Sequence, residues 1–148
     1  MGVFDKEIRL FRDIHEEVHQ VIIDSIRKYD FVLLDFQTNK QMNVKGQTST
    51  GKQIGMYQRE RYKRYRISKG LQVDHVDLKL TGKFQSTLEL ITENDQFVIK
   101  AHVDYADDLV EHYGPEILGI QRTYLEQFVN NYLIAEIRKM VNIKLKVK

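Results

Sequence analysis

Apolar residues near the two ends of the chain recur every three or four positions, which is the spacing of amphipathic helices. Across residues 3–29 they are Phe4, Ile8, Phe11, Ile14, Val18, Val21, Ile22 and Ile26. Across residues 121–141 they are Tyr124, Leu125, Phe128, Tyr132, Leu133, Ile137 and Met140. Each set covers one side of a helix, so the pattern predicts a long helix near each end with one face buried.

Shorter patterns in the middle of the chain predict strands. The apolar run at residues 31–36 is typical of a short buried strand. Residues 76–80 alternate apolar and polar side chains, which is the period of a half-buried strand. Two more strands are predicted at residues 84–92 and 97–103, joined by a tight turn at Asn94 and Asp95.

The remaining segments connect these elements. Residues 37–53 are polar and contain Gly46 and Gly51, which predicts a loop. Residues 104–113 predict a short helix, ended by Gly114 and Pro115. The predicted fold class is therefore α+β, a small antiparallel sheet packed against two long helices, in a single domain of residues 1–148.

Composition narrows the classes of protein. The chain has 148 residues, 42% of them hydrophobic, which supports a packed core, and its net charge of +2 favours no particular partner. It has no cysteine, which excludes a disulfide framework or a thiolate zinc site and fits a reducing cytoplasm. No apolar run approaches the length that crosses a bilayer, so we expect no membrane partner.

Residues 15–19 match the H-E-x-x-H pattern of zinc hydrolases. His15 and His19 would share a helix face and bind zinc while Glu16 activates water. The alternative is that His15 continues the buried stripe. We favour that structural alternative and predict neither a metal site nor a catalytic residue, because Glu17 makes the middle of the motif charged and no third ligand has a recognisable spacing. A zinc-dependent hydrolase remains the main alternative function.

Residues 46–53 come within one substitution of a phosphate-binding P-loop. Gln53 stands where that pattern needs a hydroxyl to hold magnesium, and no buried strand leads directly into the loop. We therefore interpret Gly46 and Gly51 as turn residues and predict no nucleotide cofactor.

A basic segment at residues 57–69 interleaves cations with tyrosines. Basic side chains neutralise phosphates and tyrosines stack on bases, which would suit a small DNA-binding accessory protein. The same composition is also typical of a solvated surface whose tyrosines cover the core. The residues of interest are Tyr57, Arg59, Arg61, Tyr62, Lys63, Arg64, Tyr65, Arg66 and Lys69.

Two stretches of the chain resemble a known family. Residues 34–42 with 46–57, and residues 75–86 with their Leu-Thr-Gly-Lys-Phe element, are similar to small morphogenesis proteins of crAss-like phages that infect Bacteroides-like gut bacteria. More broadly they resemble the head–tail connector and tail-completion proteins of tailed bacteriophages. The resemblance covers roughly residues 30–135.

The resemblance implies a non-enzymatic virion protein of the neck or tail, assembled in the host cytoplasm. It would form a homo-oligomeric ring between portal and tail that lets DNA pass, with portal or other neck and tail proteins as partners. In such a ring we predict that residues 57–69 form a loop-like arm on an adjacent subunit, since arginine and tyrosine anchor interfaces well. Contact of this segment with packaged DNA stays open as the alternative. Acidic groups that the arm could meet are Asp104, Asp107, Asp108 and Glu111.

Overall fold

The computed structural model describes residues 3–93 and 96–146, which form two compact units. The terminal unit combines Met1–Asp30 with Glu126–Lys148, and the central unit is Phe31–Leu125. Helices and one antiparallel sheet make up the described chain, so the predicted α+β class is confirmed. None of the described helices is both long and apolar enough to traverse a lipid bilayer.

The terminal unit consists of the two predicted amphipathic helices. Helix α1 is Val3–Lys28. Near the other end, helix α6 (Arg122–Phe128), which enters the terminal unit at Glu126, continues through a π-helical turn, Val129–Leu133, into helix α7 (Ile134–Lys146). Helices α1 and α7 pack on each other. Both long helices are thus confirmed, although the side chains of Phe4 and Phe11 lie outside the described part.

An aromatic cluster joins the helices of the terminal unit. The ring of Tyr29 lies 5.0 Å from that of Tyr132 and 6.4 Å from that of Phe128, measured between centroids. Phe128 and Tyr132 stack at 5.6 Å. Leu133 is buried as well, whereas Leu125 and, on helix α1, Ile8 are 42% and 57% exposed, so the predicted apolar stripes face the interior only in part.

The central unit opens with helix where the sequence predicted a strand and a loop. Helix α2 is Asp30–Asp35, and wider π-helical turns extend it over Phe36–Val44. The reason lies in side chains four residues apart: Leu33, Gln37 and Gln41 are all buried. Both glutamine amides donate to main-chain oxygens, Gln37 to Ile117 at 2.9 Å and Gln41 to Gly119 at 2.8 Å. The prediction of a strand at residues 31–36 was wrong.

Within the described residues the sheet has two strands, whereas the sequence predicted strands at residues 76–80, 84–92 and 97–103 besides that at 31–36. Strand β1 (Leu88–Glu93) pairs antiparallel with strand β2 (Gln96–Ala101). Helix α4 (Lys83–Ser86) occupies the start of the strand predicted at residues 84–92, and residues 76–80 form no strand. The predicted turn at Asn94 and Asp95 lies outside the described residues.

A compact apolar core holds the central unit together. Helix α5 (Ala106–Tyr113) packs beside it and ends as predicted, at Gly114 with φ +92°, before a 3₁₀ turn at Pro115–Leu118. The buried core residues come from six separate segments, which explains why no single period reveals them: Met42, Ile54, Val76, Phe84, Leu88 and Ile117.

Candidate interaction surface

The basic segment is a helix, not the predicted loop or arm. Helix α3 spans Glu60–Ser68, with Arg59 in an extended conformation immediately before it. Contacts within the chain order this helix, since one of its basic residues, Arg66, is only 1% exposed. A helix held by such contacts needs no neighbouring chain to become ordered. The prediction of an extended or loop-like arm was therefore wrong.

Arg66 and Asp77 form a buried ion pair at the centre of this region. The Arg66 Nη2 atom lies 3.0 Å from both carboxylate oxygens of Asp77. The other guanidinium nitrogens donate to main-chain oxygens, Nε to Gln72 at 2.9 Å and Nη1 to Lys79 at 2.8 Å. The Asp77 carboxylate also accepts from the Gln72 amide at 2.6 Å and from the Lys79 N–H at 2.9 Å. Both buried charges are therefore fully hydrogen-bonded, as burial demands.

Tyr57 completes this network and is not free for stacking. Its hydroxyl donates to Asp77 at 3.0 Å, and the Arg66 guanidinium lies 4.3 Å from its ring centroid. The Tyr62 ring stands between Tyr57 and Tyr65, with centroid distances of 5.4 and 6.3 Å. Burial, followed by the negative charge of Asp77, raises the pKa of the Tyr57 hydroxyl.

The other basic residues of the segment remain at the surface. Lys63 pairs with Glu60 at 3.0 Å on the same helix, and the Lys69 ammonium lies 5.7 Å from the ring of Tyr65. Arg59, Arg61 and Arg64 are exposed and have no side-chain partner among the described residues. Of the nine predicted site residues, then, Tyr57 and Arg66 belong to the structural network, and the rest are half-buried or exposed.

Helix α5 carries the opposite charge. Asp107, Asp108 and Glu111 are exposed along it, and none of them has a partner within the described chain. On another side of the same helix, Leu109 and Tyr113 face an open groove. Burial raises the pKa of Tyr113, with a smaller contribution from Tyr62. The central unit thus presents Arg61 and Arg64 on helix α3 and three carboxylates on helix α5, none of which has a side-chain partner within the described chain.

The groove itself was not anticipated from the sequence. It has a volume of about 950 Å³ and lies between helices α3 and α5 and two irregular segments, residues 54–59 and 78–83. One signal could have pointed to it, namely the apolar residues Met56, Leu78 and Leu80 within otherwise polar stretches. Asp77 was also missed, because strand alternation placed it on a solvent face.

The residues that match the H-E-x-x-H pattern lie at the surface of helix α1. His15, Glu16 and His19 are exposed on helix α1, so the expectation that His15 lies on the buried stripe was wrong. Among residues 3–93 and 96–146, no three histidine or carboxylate side chains are grouped so that they could hold a metal ion.

The near P-loop is a tight turn without a following helix. Within it the Thr48 N–H donates to the Lys52 carbonyl at 2.8 Å, and residues Gln47 and Gln53 pair. Gly46 and Gly51 have φ values of +60° and +81°, as the turn interpretation requires.

Comparison of the chain with models of protein families, with curated proteins and with solved structures finds no significant match.

Proposed function

We propose that the chain is a non-enzymatic structural subunit that assembles head to tail with copies of itself, as a connector ring in the neck or tail of a phage virion. The observation that carries the proposal is the pair of unpartnered surfaces of opposite charge on the central unit. Arg61 and Arg64 of helix α3 supply one, and Asp107 and Asp108 of helix α5 supply the other. Two different, complementary surfaces on one subunit produce a heterologous interface, which closes into a ring when the rotation permits.

The residues around these charges are of the kind found at interfaces. Tyr65 and Ile67 are 46% and 60% exposed on helix α3, beside Arg64. Aromatic residues and arginine are enriched in protein interfaces, whereas isolated charges on a solvated surface need no apolar neighbours. The placement in a virion, with portal, neck or tail proteins as partners and assembly in the host cytoplasm, rests on the family resemblance of residues 34–57 and 75–86.

Charge reversal on each surface tests the assembly. Arg61→Glu with Arg64→Glu, and separately Asp107→Lys with Asp108→Lys, should each reduce the mass of the assembly to that of the monomer. Combining all four substitutions in one chain should recover it, because every interface then joins opposite charges again, whatever the number of subunits. Mass photometry or analytical ultracentrifugation at low and high salt measures this directly.

The alternative functions give different results in the same experiments. If the arginine variant assembles normally but loses salt-dependent affinity for duplex DNA, helix α3 contacts DNA and the interface is elsewhere. If one zinc ion per chain binds and is lost when His15 or His19 is changed, the hypothesis of a zinc-dependent hydrolase replaces that of a structural subunit.

A further inference from the structure

The groove of the central unit leaves several apolar side chains in contact with water. Met56, Leu80 and Tyr105 line it and are 55%, 44% and 41% exposed. Leu78 and Leu109 line it too and are half-buried. Clustered exposed apolar residues in a concave surface mark a binding site more often than single ones scattered over a surface.

One wall of the groove offers main-chain groups that have no partner. Across residues 56–58 the structure records no main-chain hydrogen bond, whereas the neighbouring Gly55 oxygen accepts from Val76 at 2.8 Å. Met56 and Gln58 are exposed and Tyr57 is half-buried, an alternation typical of an extended chain. Free N–H and C=O groups on such a segment are a template for an added strand.

The facing wall contains a strained residue. Leu78 has a φ of +56°, the one positive value among the non-glycine residues that the structure describes. A branched side chain in the left-handed region costs free energy, and such strain is concentrated at binding sites. Leu78 directly follows Asp77 in the chain, and its side chain is among those that line the groove.

The charged residues that line the groove are all basic, and the exposed carboxylates of helix α5 lie outside the lining. Arg59, Lys79 and Lys83 line it, all three are exposed, and none has a side-chain partner in the described chain. No carboxylate is among the lining residues. The nearby Asp77 is saturated by Arg66, Gln72 and Tyr57. The groove therefore attracts an anionic ligand.

The lining favours a peptide over a nucleic acid. Methionine and leucine side chains form pockets for apolar side chains, whereas single-stranded nucleic acid is held by free aromatic faces. Of the four tyrosines that line the groove, Tyr57 has the Arg66 guanidinium over its ring at 4.3 Å, Tyr62 and Tyr113 are half-buried, and Tyr105 alone is exposed.

A second copy of this chain is a poor occupant of the groove. Strand β1 is extended, apolar and acidic, but its carboxylates are already paired across the hairpin. Glu89 lies 2.7 Å from His102, and Glu93 pairs with Lys100.

We infer that the groove binds an extended acidic segment of a different protein. The segment adds a strand along residues 56–58, places apolar side chains against Leu78, Leu80 and Leu109, and directs carboxylates to Arg59, Lys79 and Lys83. This inference is independent of the head-to-tail assembly, which uses other residues of helices α3 and α5.

Selection of a displayed library of random ten-residue peptides on the full-length protein tests the inference. Peptides that also bind the Lys79→Glu/Lys83→Glu variant are removed, and the best remaining peptide is synthesised with a fluorescent label for anisotropy. We expect sequences in which Asp or Glu alternates with apolar residues. Lys79→Glu/Lys83→Glu should weaken binding of that peptide at least tenfold. The matched control Lys40→Glu/Lys52→Glu, which changes exposed lysines outside the groove, should alter it less than twofold.

Methylated peptides test the added strand. N-methylation of every second residue should weaken binding at least tenfold in one of the two alternating sets and much less in the other, because a strand uses only alternate N–H groups toward one neighbour. Equal effects of the two sets would overturn strand addition.

Four other outcomes would overturn the inference: no peptide enriched over the variant, enriched peptides without carboxylates, displacement of the labelled peptide by a ten-nucleotide oligothymidylate, or its displacement by an excess of the Lys79→Glu/Lys83→Glu variant, which does not bind the peptide itself. The last would make a second copy the occupant. Because the charge reversals at Arg61, Arg64, Asp107 and Asp108 lie outside this experiment, failure of the groove leaves the assembly proposal standing, and the reverse also holds.

Discussion

The two units of the molecule each contain an ion pair, and the two pairs differ in their relation to water. In the terminal unit the Lys28 ammonium lies 2.9 Å from a Glu136 oxygen, with side chains 57% and 18% exposed. In the central unit Arg66 and Asp77 meet at 3.0 Å with side chains 1% and 4% exposed. The first pair sits at the edge of helices that apolar packing already holds. The second is part of the interior.

This difference shows how each unit is held together. An exposed pair contributes little, since water screens it and two long side chains lose freedom. Breaking a buried pair costs far more, because removing one partner leaves the other charge without water and without a counter-charge. In the central unit the pair also fixes main-chain groups of Gln72 and Lys79, so it holds irregular segments that have no sheet or helix of their own.

The largest effect we expect is from breaking the buried pair. Arg66→Ala should lower the free energy of unfolding by about 3–5 kcal/mol, because Asp77 would remain buried and unpaired. Urea denaturation monitored by circular dichroism measures the change. Changing both partners, in Arg66→Ala with Asp77→Ala, should cost less than the sum of the two single changes.

The matched control is Arg64→Ala on the same helix, where the arginine is exposed and has no side-chain partner among the described residues. It should change the free energy of unfolding by less than about 0.5 kcal/mol. A shift for Arg66→Ala no greater than that of the control would mean that the central unit does not depend on the pair.

The next effect on the free energy of unfolding should follow from adding one methyl group at Gly46. A Cβ there would lie 2.2 Å from Cδ2 of the His75 ring, while at Gly51 it would meet no atom within 4 Å. Both glycines have positive φ, so each change to alanine should cost about 1–2 kcal/mol in backbone strain. Gly46→Ala should cost about 1–3 kcal/mol more, through overpacking.

Thermal or urea unfolding of Gly46→Ala and Gly51→Ala separates the two contributions. Equal losses in the two variants would show that His75 moves aside freely, and that its 3.0 Å contact with the Asn43 oxygen is not required for stability.

The sequence predicted the terminal unit well, since apolar packing leaves a periodic trace. The stripe of helix α1 and that of α6 to α7 can be counted directly, and Gly114 and Pro115 mark the end of helix α5 in the expected way. The turn interpretation of Gly46 and Gly51 was also correct, because both have positive φ values, which glycine adopts without strain.

The central unit could not be predicted to the same degree, because polar residues occupy buried positions that apolar residues usually fill. Gln37 and Gln41 occupy buried helical positions, so residues 31–36 displayed an apolar run with no visible helical continuation. Asp77 is buried by its pairing with Arg66, eleven residues earlier, and a local pattern does not contain that contact. For the same reason the candidate site was found only in part: the basic helix was visible in the sequence, and the groove beside it was not.

The smallest effect we expect is on the exposed pair, and it should depend on pH. Hydrogen bonds from Lys28 and then Tyr29 lower the pKa of Glu136 from 4.5 to about 2. The ionised form is thus favoured in the folded protein, and its contribution is complete above pH 4.5 and is lost as the pH falls toward 2. Glu136→Gln should therefore destabilise the protein slightly at neutral pH and progressively less on acidification.

The measurement is the difference in free energy of unfolding between wild type and Glu136→Gln across that pH range, at low salt. Glu16→Gln is the matched control, since Glu16 is exposed on helix α1 and has no partner in the described chain. For Glu16→Gln the difference in free energy of unfolding from wild type should not decrease as the pH falls. A constant difference for Glu136→Gln down to the lowest pH would mean that Lys28 and Tyr29 do not hold the carboxylate in solution. The Lys28–Glu136 pair would then add nothing to the stability of the terminal unit, which would widen the contrast with the central unit.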